Sequence, residues 1–161
     1  MTQPARRRFP GRDDQVSSAR AFVREVLDGC PQLDSAVLLT SELCTNALQH
    51  SESGNGGAFE VTVLYLPGAL RIEVRDEGSA GMPFPHGFDD HSENGRGLEI
   101  VACLADRRGQ HGDEYGRCVY FELRWNPAIR PQELQPAKDG EENVSRHGCQ
   151  KGRIHEHHPS V

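Results

Sequence analysis

Glu42 and Asn46 stand four residues apart inside the largely apolar stretch Leu38-Leu39-Thr40-Ser41-Glu42-Leu43-Cys44-Thr45-Asn46-Ala47. Four residues advance a helix by about 400°, so the two side chains lie about 40° apart on one face. A carboxylate beside a neutral amide oxygen suits a hard cation and its bound water, since Mg²⁺ takes oxygen ligands and keeps phosphate oxygens and waters in its shell. The same pair also fits the polar edge of an amphipathic helix. His50, one turn further, either joins that edge or closes the helix end.

Asp76 is a second residue out of place. It shares the parity of Leu70, Ile72 and Val74, so it points toward the buried side at the end of an alternating strand. A carboxylate there needs a donor. An amine on a ligand is one candidate, adenine's exocyclic amino group being a common donor of that kind; an ordinary turn aspartate before Gly78 is the other reading. Gly78 and Gly81 would let the following backbone approach a flat base. A third feature, Gly95-Arg96-Gly97-Leu98, opens a helix, which presents unpaired N–H groups at the positive end of the helix dipole. That arrangement cradles phosphate, although a G-x-G at a helix start is also a common tight turn.

The elements that would carry these residues are legible from periodicity. Asp13 or Asp14 can cap a helix whose positions Ala19, Phe22, Val23, Val26 and Leu27 form one apolar face, ending at Gly29. Pro31 suits the first turn of a second helix, running to about His50 with a wide apolar stripe. Phe59, Val61, Val63 and Tyr65, then Leu70, Ile72 and Val74, alternate with other residues on either side of Pro67-Gly68, predicting a β-hairpin. Residues Glu77 to Asn94 show no repeating pattern, and a loop of that length inside a compact domain is a functional lid or is disordered. A short helix with Leu98, Val101, Ala102 and Ala105 on one face follows, then two strands, the last alternating through Val119, Phe121, Leu123 and Trp125. The order predicts an α/β two-layer sandwich with a mixed, mostly antiparallel sheet and helices on one face. Residues 1–12 read as an N-terminal arm or first strand and 13–126 as the domain. Residues 127–161 are too poor in apolar groups to offset their ordering entropy and read as a disordered polar tail.

The 161 residues suffice for one ordinary domain with a single site. A formal charge of −6, with basic residues scattered apart from Arg6-Arg7-Arg8, argues against nucleic acid as a direct partner. The absence of a long apolar run argues against membrane and, with no signal-like start, predicts a cytoplasmic protein. Five cysteines without C-x-x-C spacing read as reduced and structural. His147, Cys149, His155, His157 and His158 in the tail fit no closed zinc site.

E-x-x-x-N on a helix, D-x-G after a hairpin strand and G-x-G-L opening a helix, in that order, resemble the GHKL superfamily of ATP-binding domains, shared by gyrase-type topoisomerases and histidine kinases. The match runs from about Arg8 to Trp125 and is closest to the small stand-alone anti-sigma-factor serine/threonine kinases of actinobacterial type. Residues Leu38 to Ala47 look like the N box, Asp76-Glu77-Gly78 like the first glycine box and Gly95-Arg96-Gly97-Leu98 like the second; Gly116 to Phe121 resembles the closing strand. The resemblance implies a Bergerat-type fold binding ATP and Mg²⁺. It implies that Asn46 ligates Mg²⁺, Asp76 hydrogen-bonds adenine, Gly78 supports the base, and Gly95, Gly97 and Leu98 line the phosphates, with Glu42 as general base. Arg96 and Arg117 fall where a cation could help. Ala80 holds the usual second glycine position, with Gly81 one residue later, and Arg117 stands where related domains often carry Lys. The implied activity is phosphorylation of an anti-sigma-factor antagonist by a kinase that also binds a sigma factor, with room for a homodimer. A nucleotide-dependent regulatory binding module without kinase activity is the alternative. A histidine-kinase relay lacks its separate helical hairpin here.

Overall fold

The computed structural model describes residues 3–50, 54, 56–77, 95–113 and 116–135. The elements run β1 (Ala5–Pro10), α1 (Gln15–Val26), α2 (Leu33–His50), β2 (Ala58–Leu66), β3 (Ala69–Asp76), α3 (Gly95–Leu104), β4 (Arg107–Asp113) and β5 (Gly116–Arg124). A short 3-10 helix, Pro131–Leu134, follows. The five strands form one sheet in the order β1-β2-β3-β5-β4, and every described pairing is antiparallel. This is the expected two-layer α/β sandwich, and residues 5–10 of the N-terminal arm form its first strand.

Alternation decides which side of the sheet is buried. Phe59, Val61 and Val63 of β2, Leu70, Ile72 and Val74 of β3, and Val119, Phe121 and Leu123 of β5 share one face. They pack under Phe22 and Val23 of α1, Leu39, Leu43 and Ala47 of α2, and Val101 of α3. Phe9 of β1 stacks on Phe59 with ring centroids 5.4 Å apart. The hairpin between β2 and β3 turns through Gly68, whose φ of +99° is a backbone conformation that side chains resist.

Two local expectations change. Asp14 does occupy the N-cap of α1 but makes no capping hydrogen bond; Arg12 takes its carboxylate instead, Nε to Oδ1 at 3.0 Å. That bond is the main reason the Asp14 carboxyl sits below its ordinary range. The expected disordered tail also begins in ordered chain. Leu134 is fully buried against Leu64 and Ala69, with Ile129 and Leu66 packed beside them. Isolated aliphatics in a polar stretch looked insufficient to order it, yet Leu64 is an apolar residue on the sheet face away from the helices and needs a cover. Residues 136–161 lie outside the described residues.

Candidate functional site

The second helix explains why Glu42 and Asn46 are available. Ala36, Leu39, Thr40, Leu43, Cys44 and Ala47 face the core, while Glu42 and Asn46 are half-buried on the flank of that stripe. The neighbouring hydroxyls are spent inside the helix: Thr40 donates from Oγ1 to the carbonyl of Ala36 at 2.7 Å, and Ser41 from Oγ to that of Val37 at 3.1 Å. The flank offers a carboxylate and an amide oxygen one turn apart. Such a pair fits a hard cation and a phosphate-bearing ligand.

Asp76, at the end of β3, is buried on the helix side as its parity requires. Its donor is a protein group. Arg117 on β5, directly across in register, donates from Nε and Nη2 to Oδ2 at 3.1 and 3.0 Å, and from its backbone N–H to Oδ1 at 3.3 Å. The burial of this carboxylate is thus met by a donor within the protein, beside the ligand amine that was one candidate from the sequence. The signal was present in the sequence, because Arg117 shares the parity of Val119 and Phe121 and so must also turn inward and find an anion. Gly116 lets the strands meet here, since a Cβ on it would lie 2.5 Å from the carbonyl oxygen of Asp76.

Beside Asp76, a pocket of about 300 Å³ is lined by Arg8, Phe59, Glu60, Arg75, Asp76 and Glu77. Two of its lining residues, Arg8 and Glu77, form an ion pair, Nη2 to Oε1 at 2.7 Å. Neither Glu42 nor Asn46 lines it, so among the described residues it borders the expected site through Asp76.

The helix predicted to open at the second glycine box does begin at Gly95. Residues 95–98 are its first turn, whose leading N–H groups have no partner within the helix. The side chains of Arg96 and Leu98, the glycines Gly78 and Gly81, and residues 78–94 of the expected lid lie outside the described residues. What ties the three regions together is α2, which packs against both β3 and α3.

The far face of the sheet holds groups that periodicity alone leaves in solvent. Arg71 is buried between two carboxylates, Nε to Glu73 Oε1 at 2.7 Å and Nη1 to Glu122 Oε1 at 3.0 Å. Its guanidinium lies over the Tyr120 ring, 3.6 Å from the centroid. Glu122 is fully buried, and its Oε2 has Arg107 at 3.8 Å as ion-pair partner. Cys30, Cys44 and Cys118 are buried free thiols, as expected, whereas Cys103 is exposed. No helix among the described residues is long and apolar enough to cross a membrane.

Residues 9–123 match the histidine kinase-like ATPase domain. Among solved structures, the histidine kinase domain of a blue-light activated histidine kinase from Erythrobacter litoralis is similar at 19% identity with a TM-score of 0.47. That match covers 73% of this chain and 62% of that one, so this chain spans less than two thirds of that domain. No curated protein matches the chain. With its carboxylate-amide helix and its buried strand-end aspartate inside a matched segment that spans well over half of its length, this chain belongs to the histidine kinase-like family of GHKL ATP-binding domains.

Proposed function

We propose that this ATP-binding domain is a Mg²⁺-dependent protein serine/threonine kinase that acts in the cytoplasm as an anti-sigma factor. In this reading it phosphorylates an antagonist protein that competes for the sigma factor, without contacting nucleic acid or membrane. The observation that carries the proposal is the half-buried Glu42, one helical turn before the half-buried Asn46, on a helix that packs against both β3 and α3. A module that only binds nucleotide has no need of a carboxylate beside its metal ligand.

Bound Mg-ATP would supply the phosphoryl group and the cation that offsets its charge. The amide oxygen of Asn46 would ligate that cation, and the first turn of α3 would offer N–H donors to phosphate oxygens. Glu42 accepts the proton of the substrate hydroxyl, which makes that oxygen a nucleophile. Arg117 holds Oδ2 of Asp76 with two bonds and orients Oδ1, which accepts the Arg117 backbone N–H and keeps a second lone pair for adenine's amino group.

Two substitutions test the assignment. Glu42→Gln keeps size but loses basicity, so transfer to an antagonist serine should fall roughly 10²- to 10⁴-fold while ATP affinity stays near the parent's. Asn46→Ala should lose Mg²⁺-dependent nucleotide binding and transfer together. Parent-level transfer by Glu42→Gln, or no transfer by the parent to any partner it binds, would leave a nucleotide-dependent regulatory module instead.

A further inference from the structure

Away from the helices, three metal-ligating side chains converge from three adjacent strands. His111 on β4 lies directly across from Cys118 on β5. Glu73 on β3 is one diagonal step from Cys118, because Cys118 pairs with Arg75 and Glu73 with Tyr120. Alternation puts all three on the same side of the sheet, opposite to Val119 and Val74. Cys118 Sγ is 3.7 Å from Glu73 Oε2. One ligand atom from each of Glu73, His111 and Cys118 lies within 4.8 Å of the other two.

We propose that Glu73, His111 and Cys118 form a binding site for a divalent transition-metal ion of the Zn²⁺ class, on the sheet face opposite the proposed nucleotide site. A thiolate, an imidazole and a carboxylate are the donor types Zn²⁺ takes, whereas Mg²⁺ demands oxygen ligands throughout. Tetrahedral zinc bonds of about 2.0–2.3 Å place neighbouring ligand atoms roughly 3.4–3.7 Å apart. The Cys118–Glu73 pair already meets that separation. His111, exposed on an outer strand, needs only to close the remaining gap. Three protein ligands leave a fourth position for water.

The surroundings orient the ligands as metal sites require. Arg71 holds Glu73 through Oε1 at 2.7 Å and leaves Oε2 directed at the sulfur. Arg71 is itself fixed by Glu122 and Tyr120. Burial pushes the Cys118 thiol up to about 12, with Glu73 adding to the rise and Arg75 and Arg71 acting against it. A divalent ion reverses that balance: the thiol proton leaves to water, the thiolate lone pair bonds the metal, and nothing is oxidised or reduced. The occupied site would clip β4, weakened by Gly109 and Gly112, to β5 and β3.

The test uses the full chain with Co²⁺ alone, because a thiolate–cobalt bond gives a charge-transfer absorption. The histidines and cysteine beyond residue 146 are the competing source, so the background is a full-length variant with His147, His155, His157 and His158 replaced by Asn and Cys149 by Ser. This variant should still bind one equivalent of Co²⁺ with the charge-transfer band. His111→Ala in that background should weaken binding at least tenfold, and Cys118→Ser should abolish the band. The His111 side chain is exposed, so its variant remains informative if Cys118→Ser fails to fold. Loss of all Co²⁺ binding in the background variant, an unchanged affinity in His111→Ala, or a band that survives in Cys118→Ser would each overturn the site.

Discussion

Arg117 donates from Nε and Nη2 to the same oxygen of Asp76, at 3.1 and 3.0 Å, and both residues are buried between β3 and β5. The pair closes the end of the sheet from which the first glycine box departs. Its two members depend on each other, because removing either one deprives a buried charge of a partner held by two bonds.

Arg117→Ala should therefore destabilise the fold by about 3–5 kcal/mol, measured by urea unfolding. Arg117→Lys should cost less, since an ammonium keeps the charge but not the two-pronged contact. The double variant Asp76→Ala with Arg117→Ala should cost clearly less than the sum of the single changes. Strict additivity would mean that the ion pair contributes no coupling.

Asp76→Asn should separate the nucleotide role from the structural one. An amide lacks the second acceptor oxygen, so ATP affinity should fall by roughly 10- to 100-fold, the value of a hydrogen bond to a charged group. Discrimination against GTP should shrink with it. Calorimetric titration with both nucleotides, alongside a melting curve to correct for lost stability, gives the answer. Unchanged ATP affinity would move the adenine site away from Asp76.

Leu134→Ala should lower stability by about 2–3 kcal/mol, because it removes a fully buried side chain and exposes part of Leu64 and Ala69. A change below about 0.5 kcal/mol, the size of an ordinary surface substitution, would show that the 3-10 helix is not seated there in solution.

Thiol chemistry should follow burial. Desolvation raises Cys44 from 9.0 to about 12, and Cys118 is raised to about 12 as well, so both should resist alkylation at pH 8 while exposed Cys103 reacts. The same shifts make stability pH-dependent. In the metal-free chain the thiols are protonated below pH 9 in both folded and unfolded states; from pH 9 to about 12 only the unfolded chain releases protons, so stability falls across that window. The midpoint of urea unfolding between pH 8 and 11 checks the direction.

The sheet face toward the helices was legible because period-two alternation in β2, β3 and β5 has one physical meaning: those side chains must leave water. The same rule located Asp76, and applied once more it would have located Arg117. The far face was not legible, since Arg71, Glu73 and Glu122 alternate like solvent-facing residues. Their burial depends on one another and on neighbours such as Tyr120 and Arg107 on other strands. Leu134 escaped notice for a similar reason. Its cover for Leu64 and Ala69 is a long-range contact, and local composition carries no record of it.

The order β1-β2-β3-β5-β4 leaves β1 and β4 as the two outer strands, each with backbone groups turned away from the sheet. Arg6, Arg7 and Arg8 occupy the middle of β1, and Arg107 and Arg108 open β4. Arg7 is anchored over Phe22 and beside Glu25, and Arg8 reaches Glu77, so these side chains also have roles within the fold. Their shared positive charge has a further effect between molecules. Two chains approaching edge to edge would set arginine against arginine, which opposes open-ended growth of the ladder and keeps both rims of the sheet from seeding aggregation.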